Sequence, residues 1–333
     1  MAIRSVDSTL LDWSALEAER KWPTLLIGNG VSINLWANFA YQRLFDVASL
    51  NRSATQIFGA LDTTNFETVL EAVHHARLVA DAQARSTKRI DKAYNRIQRA
   101  LFDAVRKVHI EWSNFPGSAL KIFAGQMNAH EAVFTTNYDL SLYWSHMEER
   151  ASVDVVDFFW GPGSTFDSTD TQIHSANSTP VHYLHGGIHL WRDDETGVDG
   201  KWTREHGRLL STSSMYGSAT PRQPLFVSEG TAAGKLRTIR RSEYLSFCRE
   251  ALQDDTNDTI VLGSSLGPTD AHILAALRAG TPRQIAVSML ASTPDQILVQ
   301  KARYIEALHG HTLRFFDAAT HPLTAPSLRV QIS

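Results

Sequence analysis

Apolar residues along this chain occur in two patterns, short continuous runs and longer stretches with helical spacing. Short runs are typical of strands that are buried on both faces. The predicted strands cover residues 24–27, 132–134, 181–184, 259–262, 284–290 and 312–316. Because helical stretches separate these runs, the pattern predicts an α/β fold with a Rossmann-like, mostly parallel sheet and helices on both faces.

Two segments interrupt this alternation. Residues 46–130 have helical spacing and no convincing strand pattern, which predicts a helical insertion. Residues 192–223 are rich in Gly, Ser, Thr and charged residues, which predicts a long exposed loop over a site. A strand-like run lies between them at 153–159. No internal repeat is present, so we interpret residues 1–333 as a single domain.

The composition is that of an ordinary globular protein. The chain has 333 residues, of which 43% are hydrophobic, enough to form one large core. Its net charge of −3 gives no overall basic field, so the sequence does not support binding to nucleic acid. Acidic residues interrupt the first 20 positions, which lack the apolar run of a signal peptide. We expect no membrane span and a cytoplasmic location.

Four of the predicted strands end in small or polar residues. The motifs, in chain order, are Gly28-Asn29-Gly30-Val31-Ser32, Thr135-Thr136-Asn137-Tyr138-Asp139, His185-Gly186-Gly187 and Gly263-Ser264-Ser265-Leu266-Gly267. Ligands of open α/β sheets bind outside the carboxyl ends of the strands. Four such ends therefore predict one shared crevice.

Each of the first three motifs offers its own chemistry beside a purely structural interpretation. The glycine loop after the first strand suits a phosphate, and it also suits a tight strand-to-helix turn. Asn137 and Asp139 stand two residues apart and could grip a ribose or a carboxamide. Asp139 could equally cap a helix that begins near Leu140. His185 is suited to accept a proton near neutral pH.

Histidine and cysteine positions bear on whether the chain holds a metal. The single cysteine, Cys248, excludes an internal disulfide and a zinc site built from several cysteines. His182, His185 and His189 have spacings that resemble those of metal ligands. A strand followed by Gly186-Gly187 would scatter these side chains, so we expect no metal site.

A serine hydrolase signature is also present. Residues 263–267 match the G-x-S-x-G pattern, and His185-Gly186-Gly187 resembles part of a lipase oxyanion loop, which would make Ser265 a nucleophile. Only 66 residues follow Gly267, which leaves little room for the rest of a triad. The close candidates for the acid and the base are Asp317 and His321. The hydrolase stays an alternative.

Taken in order, the four motifs resemble those of the SIR2-like family of sirtuin-related NAD-binding domains. The closer match is the bacterial branch with a T-T-N-Y-D signature, and within it the DUF4917 group. The resemblance implies an NAD⁺ glycohydrolase, which cleaves the nicotinamide–ribose bond with water to give nicotinamide and ADP-ribose. It also implies an NAD-depleting effector of antiphage defence that works as a homo-oligomer or with a partner protein that senses infection.

The resemblance also implies roles for individual residues. The matches at Asn137 and His185 correspond to catalytic residues at the nicotinamide ribose, and Asp139 to one near the carboxamide. The residues implied to bind NAD are Gly28, Asn29, Gly30, Ser32, Thr136, Gly263, Ser264 and Ser265. Protein-deacetylating sirtuins carry a four-cysteine zinc module, which this chain lacks, so we do not expect an acyl-lysine substrate. A module that senses NAD or ADP-ribose without cleaving it is the alternative from another class.

Overall fold

The computed structural model describes residues 7–171, 178–203, 209–211, 216 and 221–330. The α-helices among them are α1 Trp13–Glu19, α2 Asn29–Leu35, α3 Tyr41–Val47, α4 Arg52–Ala60, α5 Phe66–Ala82, α6 Lys88–Val108, α7 Gly117–Asn128, α8 Ser141–Glu149, α9 Ala232–Arg241, α10 Glu243–Asp254, α11 Ala271–Ala279 and α12 Pro294–Ala307. The strands are β1 Thr24–Ile27, β2 Ala132–Thr135, β3 Val155–Val156, β4 Thr179–Tyr183, β5 Gly186–Asp193, β6 Asp199–Lys201, β7 Arg222–Phe226, β8 Thr259–Leu262, β9 Gln284–Met289 and β10 Thr312–Asp317.

Seven of these strands form one parallel sheet in the order β10-β9-β8-β1-β2-β4-β3. The central strand, β1, pairs with β2 on one side and with β8 on the other. Every residue of β1 and β8 is buried, as expected for a parallel sheet that is covered on both faces. The prediction of an α/β fold with a Rossmann-like parallel sheet is confirmed. No helix in the described part of the chain is long and apolar enough to cross a membrane.

The predicted strands compare closely with the observed ones. All six are present, and their ends differ by at most two residues. The strand-like run at 153–159 forms a shorter strand than its sequence pattern indicates, because only Val155 and Val156 pair with β4. The two phenylalanines that follow leave the sheet and pack against other rings, Phe158 against Phe247 and Phe159 against Tyr244.

The segment at 192–223, predicted as one long exposed loop, differs from the prediction. β5 pairs antiparallel with β6 and β7 in a second sheet of order β6-β5-β7. The polar strand β6 is buried. Its Asp199 can be buried because it pairs with Arg192 at 2.8 Å and accepts a hydrogen bond from Ser242 Oγ at 2.7 Å. Residues 204–208, 212–215 and 217–220 of the predicted loop lie outside the described residues.

The predicted helical insertion, residues 46–130, contains α4, α5, α6 and α7, and none of its residues lies in a strand. Its longest helix, α6, is amphipathic. The buried positions Ile97, Leu101 and Val105 repeat at helical spacing, so they form one apolar face. Through this face and the start of α5, the insertion reaches the carboxyl edge of the parallel sheet.

Candidate active site

A cavity of about 330 Å³ lies at the carboxyl ends of β1, β2 and β8. The chain leaves β1 for β2 on one side of the sheet and returns to β8 on the other, so this is a topological switch point, where open α/β sheets bind ligands. Nine of the eleven predicted site residues line the cavity. The other two contact lining residues: Gly28 packs against Gly263 and Ser264, and Ser32 bonds to Asn137. The four strand-end motifs therefore meet at one crevice.

Asn137 is fixed by a short chain of hydrogen bonds. Its Nδ2 donates to Ser32 Oγ at 2.7 Å, and Ser32 Oγ in turn donates to Asp139 Oδ2. The side chain of Asn137 is buried, and its Oδ1 has no hydrogen-bond partner within the described structure. A buried acceptor without a partner is costly, so it marks a point where a ligand can bind.

Asp139 has a structural role at the start of α8. Its Oδ2 accepts from Ser32, and its Oδ1 accepts from the backbone N–H of Ser141 at 2.8 Å at the start of α8. His109, directly after α6 in the insertion, supports the same turn, because its Nε2 accepts from the Leu140 N–H at 2.9 Å. Both carboxylate oxygens of Asp139 are thus engaged, and the residue positions Asn137 within the cavity wall.

The glycine loop after β1 packs against the loop after β8. The N–H of Gly28 donates to Leu262 O at 2.8 Å, and the N–H of Gly30 donates to Gly263 O at 2.8 Å. A Cβ atom at Gly30 would lie only 2.8 Å from Gly263 O, so glycine is required for this contact. The two N–H groups predicted to bind a phosphate are therefore already satisfied by carbonyl groups, and the structural interpretation explains both glycines.

Other residues of the strand-end motifs supply the polar groups at this end of the cavity. Asn29, Ser264 and Ser265 line it, together with Thr136, whose N–H extends the pairing of β1 and β2 by donating to Ile27 O at 3.0 Å. The β8 loop is held by α12, since Tyr304 Oη donates to Ser264 O at 3.0 Å.

His185 stands in the cavity wall beside a residue that the sequence analysis missed. Its Nε2 lies 2.8 Å from Nε2 of His272, at the start of α11. Burial lowers the pKa of His185 well below its usual value, and the charges of Lys235 and His272 lower it further. For His272, burial and Lys235 bring the pKa to about 4. Both rings are therefore neutral at pH 7, and one donates to the other.

A buried ion network lies beside the two histidines in the wall, and the sequence analysis missed it as well. Lys235 Nζ lies 2.9 Å from Asp270 Oδ1 and 3.1 Å from Glu67 Oε2. The lysine side chain is 1% exposed. Burial disfavours its charge, but the two carboxylates outweigh this and raise its pKa. These residues carry no shared sequence signature, since they lie in three separate parts of the chain.

The histidines that have metal-like spacing lie in separate surroundings. His182 stacks on Phe134 at 4.6 Å between ring centroids, and His189 stacks on Tyr143 at 4.7 Å.

A different group, His185, His272 and Asp270, brings three potential ligand atoms within 4.8 Å of one another. The Lys235 ammonium already neutralises Asp270, and its charge lowers the pKa of both histidines.

The serine hydrolase alternative lacks a triad in the described structure. Ser265 is exposed, and no described contact joins it to Asp317 or His321. His321 is fully buried against the Trp13 ring, at 4.8 Å between centroids. The residues with positive φ in the loop are Gly263 and Leu266, on either side of Ser265, so the serine itself is not at the strained position of a nucleophile elbow.

An open parallel α/β sheet with a polar cavity at its switch point defines a Rossmann-like domain, a fold in which ligands bind at this position. The family model for DUF4917, described as a domain of unknown function, matches residues 25–323, and the chain therefore belongs to this family. A comparison with curated proteins finds no match. The membership confirms the DUF4917 part of the resemblance, while the kinship with SIR2-like proteins stays a prediction.

Proposed function

We propose that this protein is an NAD⁺ glycohydrolase, which hydrolyses NAD⁺ to nicotinamide and ADP-ribose in the cavity at the switch point. One observation carries the proposal. The amide of Asn137, with an unpartnered buried oxygen, lies in the same wall as the neutral imidazole of His185 and faces a network rich in carboxylates. This set suits a reaction at an anomeric carbon, where positive charge develops and a water molecule attacks.

The reaction requires the protein mainly to position the substrate and the water and to stabilise the charge that develops on the ribose. The bond between the nicotinamide nitrogen and the ribose carbon breaks, and nicotinamide leaves as a neutral molecule with the electron pair of that bond. The ribose becomes oxocarbenium-like, and carboxylates at the wall stabilise its charge. Asn137 Oδ1 accepts a hydrogen bond from a ribose hydroxyl or from the attacking water. Ser32 fixes the orientation of the Asn137 amide by accepting from its Nδ2.

His185 takes the proton that the attacking water loses. When its Nε2–H donates to His272 Nε2, the lone pair of its Nδ1 is free to accept. The lowered pKa makes His185 a weak base that is neutral at pH 7. A weak base is sufficient here, because water attacks a strongly electrophilic oxocarbenium ion and loses its proton late.

The rest of the dinucleotide would bind along the polar edge formed by Asn29, Thr136, Ser264 and Ser265. The sites at Gly28 and Gly30 support this edge through their packing. The resemblance to SIR2-like effectors adds a biological proposal, namely that the protein depletes NAD⁺ in antiphage defence and is activated by self-assembly or by a partner protein that senses infection.

The proposal is tested by chromatography of NAD⁺ incubated with the full chain at several protein concentrations. We expect nicotinamide to appear as NAD⁺ is lost, and we expect Asn137→Ala to reduce its release by at least about 100-fold. The matched control is Asn114→Ala, an exposed asparagine outside the cavity, which should leave release unchanged. An Asn137→Ala protein with full turnover would contradict the proposal.

Two further readouts separate the alternatives. Calorimetric binding of NAD⁺ without nicotinamide release, at any protein concentration, would favour the sensing module. Labelling of Ser265 by a fluorophosphonate would favour the serine hydrolase, because only an activated serine reacts with this probe.

A further inference from the structure

The ion network of Glu67, Lys235 and Asp270 brings distant parts of the chain to one wall of the cavity. Glu67 stands in the first turn of α5 in the helical insertion, Lys235 in α9, and Asp270 in the loop after β8. The Nζ of Lys235 bridges the two carboxylates at 2.9 and 3.1 Å. Since Lys235 is buried, it holds both carboxylates in place at the wall of the cavity.

The charges that line the cavity do not balance. The cavity is lined by three carboxylates, those of Glu67, Asp139 and Asp270, and by a single ammonium group, that of Lys235. His185 does not offset the difference, because it is neutral at pH 7. Burial raises the pKa of Glu67, with Lys235 opposing this and Asp270 adding to it, so the surplus negative charge at this wall is costly.

A second observation, independent of these charges, also indicates that the cavity binds a ligand. Asn137 is more than nine-tenths buried, lines the same cavity and has an unpartnered Oδ1. An anionic ligand would add to the surplus of negative charge at this wall, whereas a cationic ring with a neutral carboxamide and ribose would relieve it. The oxidised nicotinamide ring is such a cation, and the reduced ring is neutral.

We propose that Glu67 and Asp270, held by Lys235, select the oxidised, cationic form of a nicotinamide nucleotide over its reduced form. The inference rests on the proposed function for the identity of the ligand, and it adds specificity-determining residues that lie outside the four strand-end motifs. It also gives the helical insertion a role at the site, since Glu67 belongs to that segment.

The test is calorimetric titration of the full-length Asn137→Ala protein with NAD⁺ and with NADH, which share every phosphate and sugar. We expect NAD⁺ to bind at least about tenfold more tightly. Adding Glu67→Gln, which keeps the shape and a hydrogen bond to Lys235, should reduce this ratio by about three- to tenfold. Asp270→Asn provides a second variant from another element. Asp81→Asn, at the exposed far end of α5, is the charge-matched control and should preserve the ratio.

Equal affinity for NAD⁺ and NADH, or a ratio that survives both Glu67→Gln and Asp270→Asn in folded protein, would overturn the inference. Nicotinamide release by the wild-type protein is measured separately. Selective binding of NAD⁺ without any release would overturn the proposed reaction alone, and release with equal binding would overturn the charge selection alone. Binding of neither nucleotide by the wild-type protein, together with no release of nicotinamide, would overturn both.

Discussion

Asn137 Nδ2 donates a hydrogen bond to Ser32 Oγ at 2.7 Å, although the two residues are separated by 105 positions in the sequence. The bond joins the loop after β2 to the helix after β1, on adjacent strands of the parallel sheet. Because Ser32 also donates to Asp139, one buried hydroxyl fixes both polar residues of the second motif.

Ser32→Ala should therefore disturb the site without touching the substrate. It leaves Asn137 Nδ2 and Asp139 Oδ2 without a partner, which should cost about 1–3 kcal/mol of folding free energy. Loss of position should lower nicotinamide release by about 10- to 100-fold. The control is Ser246→Ala in α10, whose hydroxyl donates to Ile239 O in α9, away from the cavity. Folded Ser32→Ala protein with unchanged turnover would show that this bond does not position Asn137.

Gly30→Ala should separate the two glycine loops. Its Cβ would lie 2.8 Å from Gly263 O and 2.9 Å from Gly263 Cα, both backbone atoms that cannot move independently. We expect a loss of about 1–3 kcal/mol in urea denaturation. Gly125→Ala, in an open position of α7, should instead be neutral or stabilise by about 0.5–1 kcal/mol. Equal effects of the two substitutions would rule out the packing role of Gly30.

Lys235→Met tests the buried ion network as a structural element. Removing the ammonium leaves Glu67 and Asp270 as uncompensated partners, and breaking a buried pair from one side typically costs about 3–5 kcal/mol. Denaturation at pH 7 should detect this loss. Lys92→Met, on the exposed face of α6, should change stability by less than about 0.5 kcal/mol. A similarly small effect at Lys235 would mean that the network is not formed in solution.

Buried histidines predict that the protein loses stability in mild acid. Burial lowers the pKa of four of them, to about 4 for His182 and His272 and to about 3 for His189 and His321. As the pH falls below about 6.5, the unfolded chain takes up protons that the folded protein excludes. Each histidine should thus contribute a loss of about 2 kcal/mol by pH 5, and its full stabilisation should be present above pH 7.

Urea denaturation at pH 7, 6 and 5 measures this dependence. His189 offers the sharpest variant, because neither of its ring nitrogens has a partner in the described structure and its ring stacks on Tyr143. His189→Phe should make the decline with pH shallower, whereas His75→Phe, at an exposed position, should leave it unchanged. A decline that is identical in both variants would mean that His189 is not buried as a neutral ring.

The parallel sheet and the meeting of the four motifs were predictable because they depend on local signals. Each strand is a continuous apolar run, and the carboxyl ends of parallel strands share one edge. The second sheet was not predictable in the same way. β6 reads Asp199-Gly200-Lys201, a polar sequence whose strand forms only because Trp191 packs over Gly200 and because Arg192 and Ser242 satisfy Asp199.

The ion network was unpredictable for a related reason. Glu67 and Lys235 stand 168 positions apart, and Lys235 and Asp270 stand 35 positions apart, so only the tertiary fold brings them together. The role of His272 was likewise not predictable, because it depends on contact with His185, 87 positions away. In the glycine loop, sequence pattern alone did not distinguish an N–H that awaits a phosphate from one already bonded to the neighbouring loop.

The measurement that bears most directly on the proposed reaction is mass spectrometry of the products formed from NAD⁺ in water labelled with oxygen-18. If the cavity cleaves the nicotinamide–ribose bond with water as acceptor, nicotinamide and ADP-ribose should form in equal amounts, and ADP-ribose should carry one labelled oxygen. NAD⁺ that stays intact while it is bound, at every protein concentration, would contradict the proposed reaction.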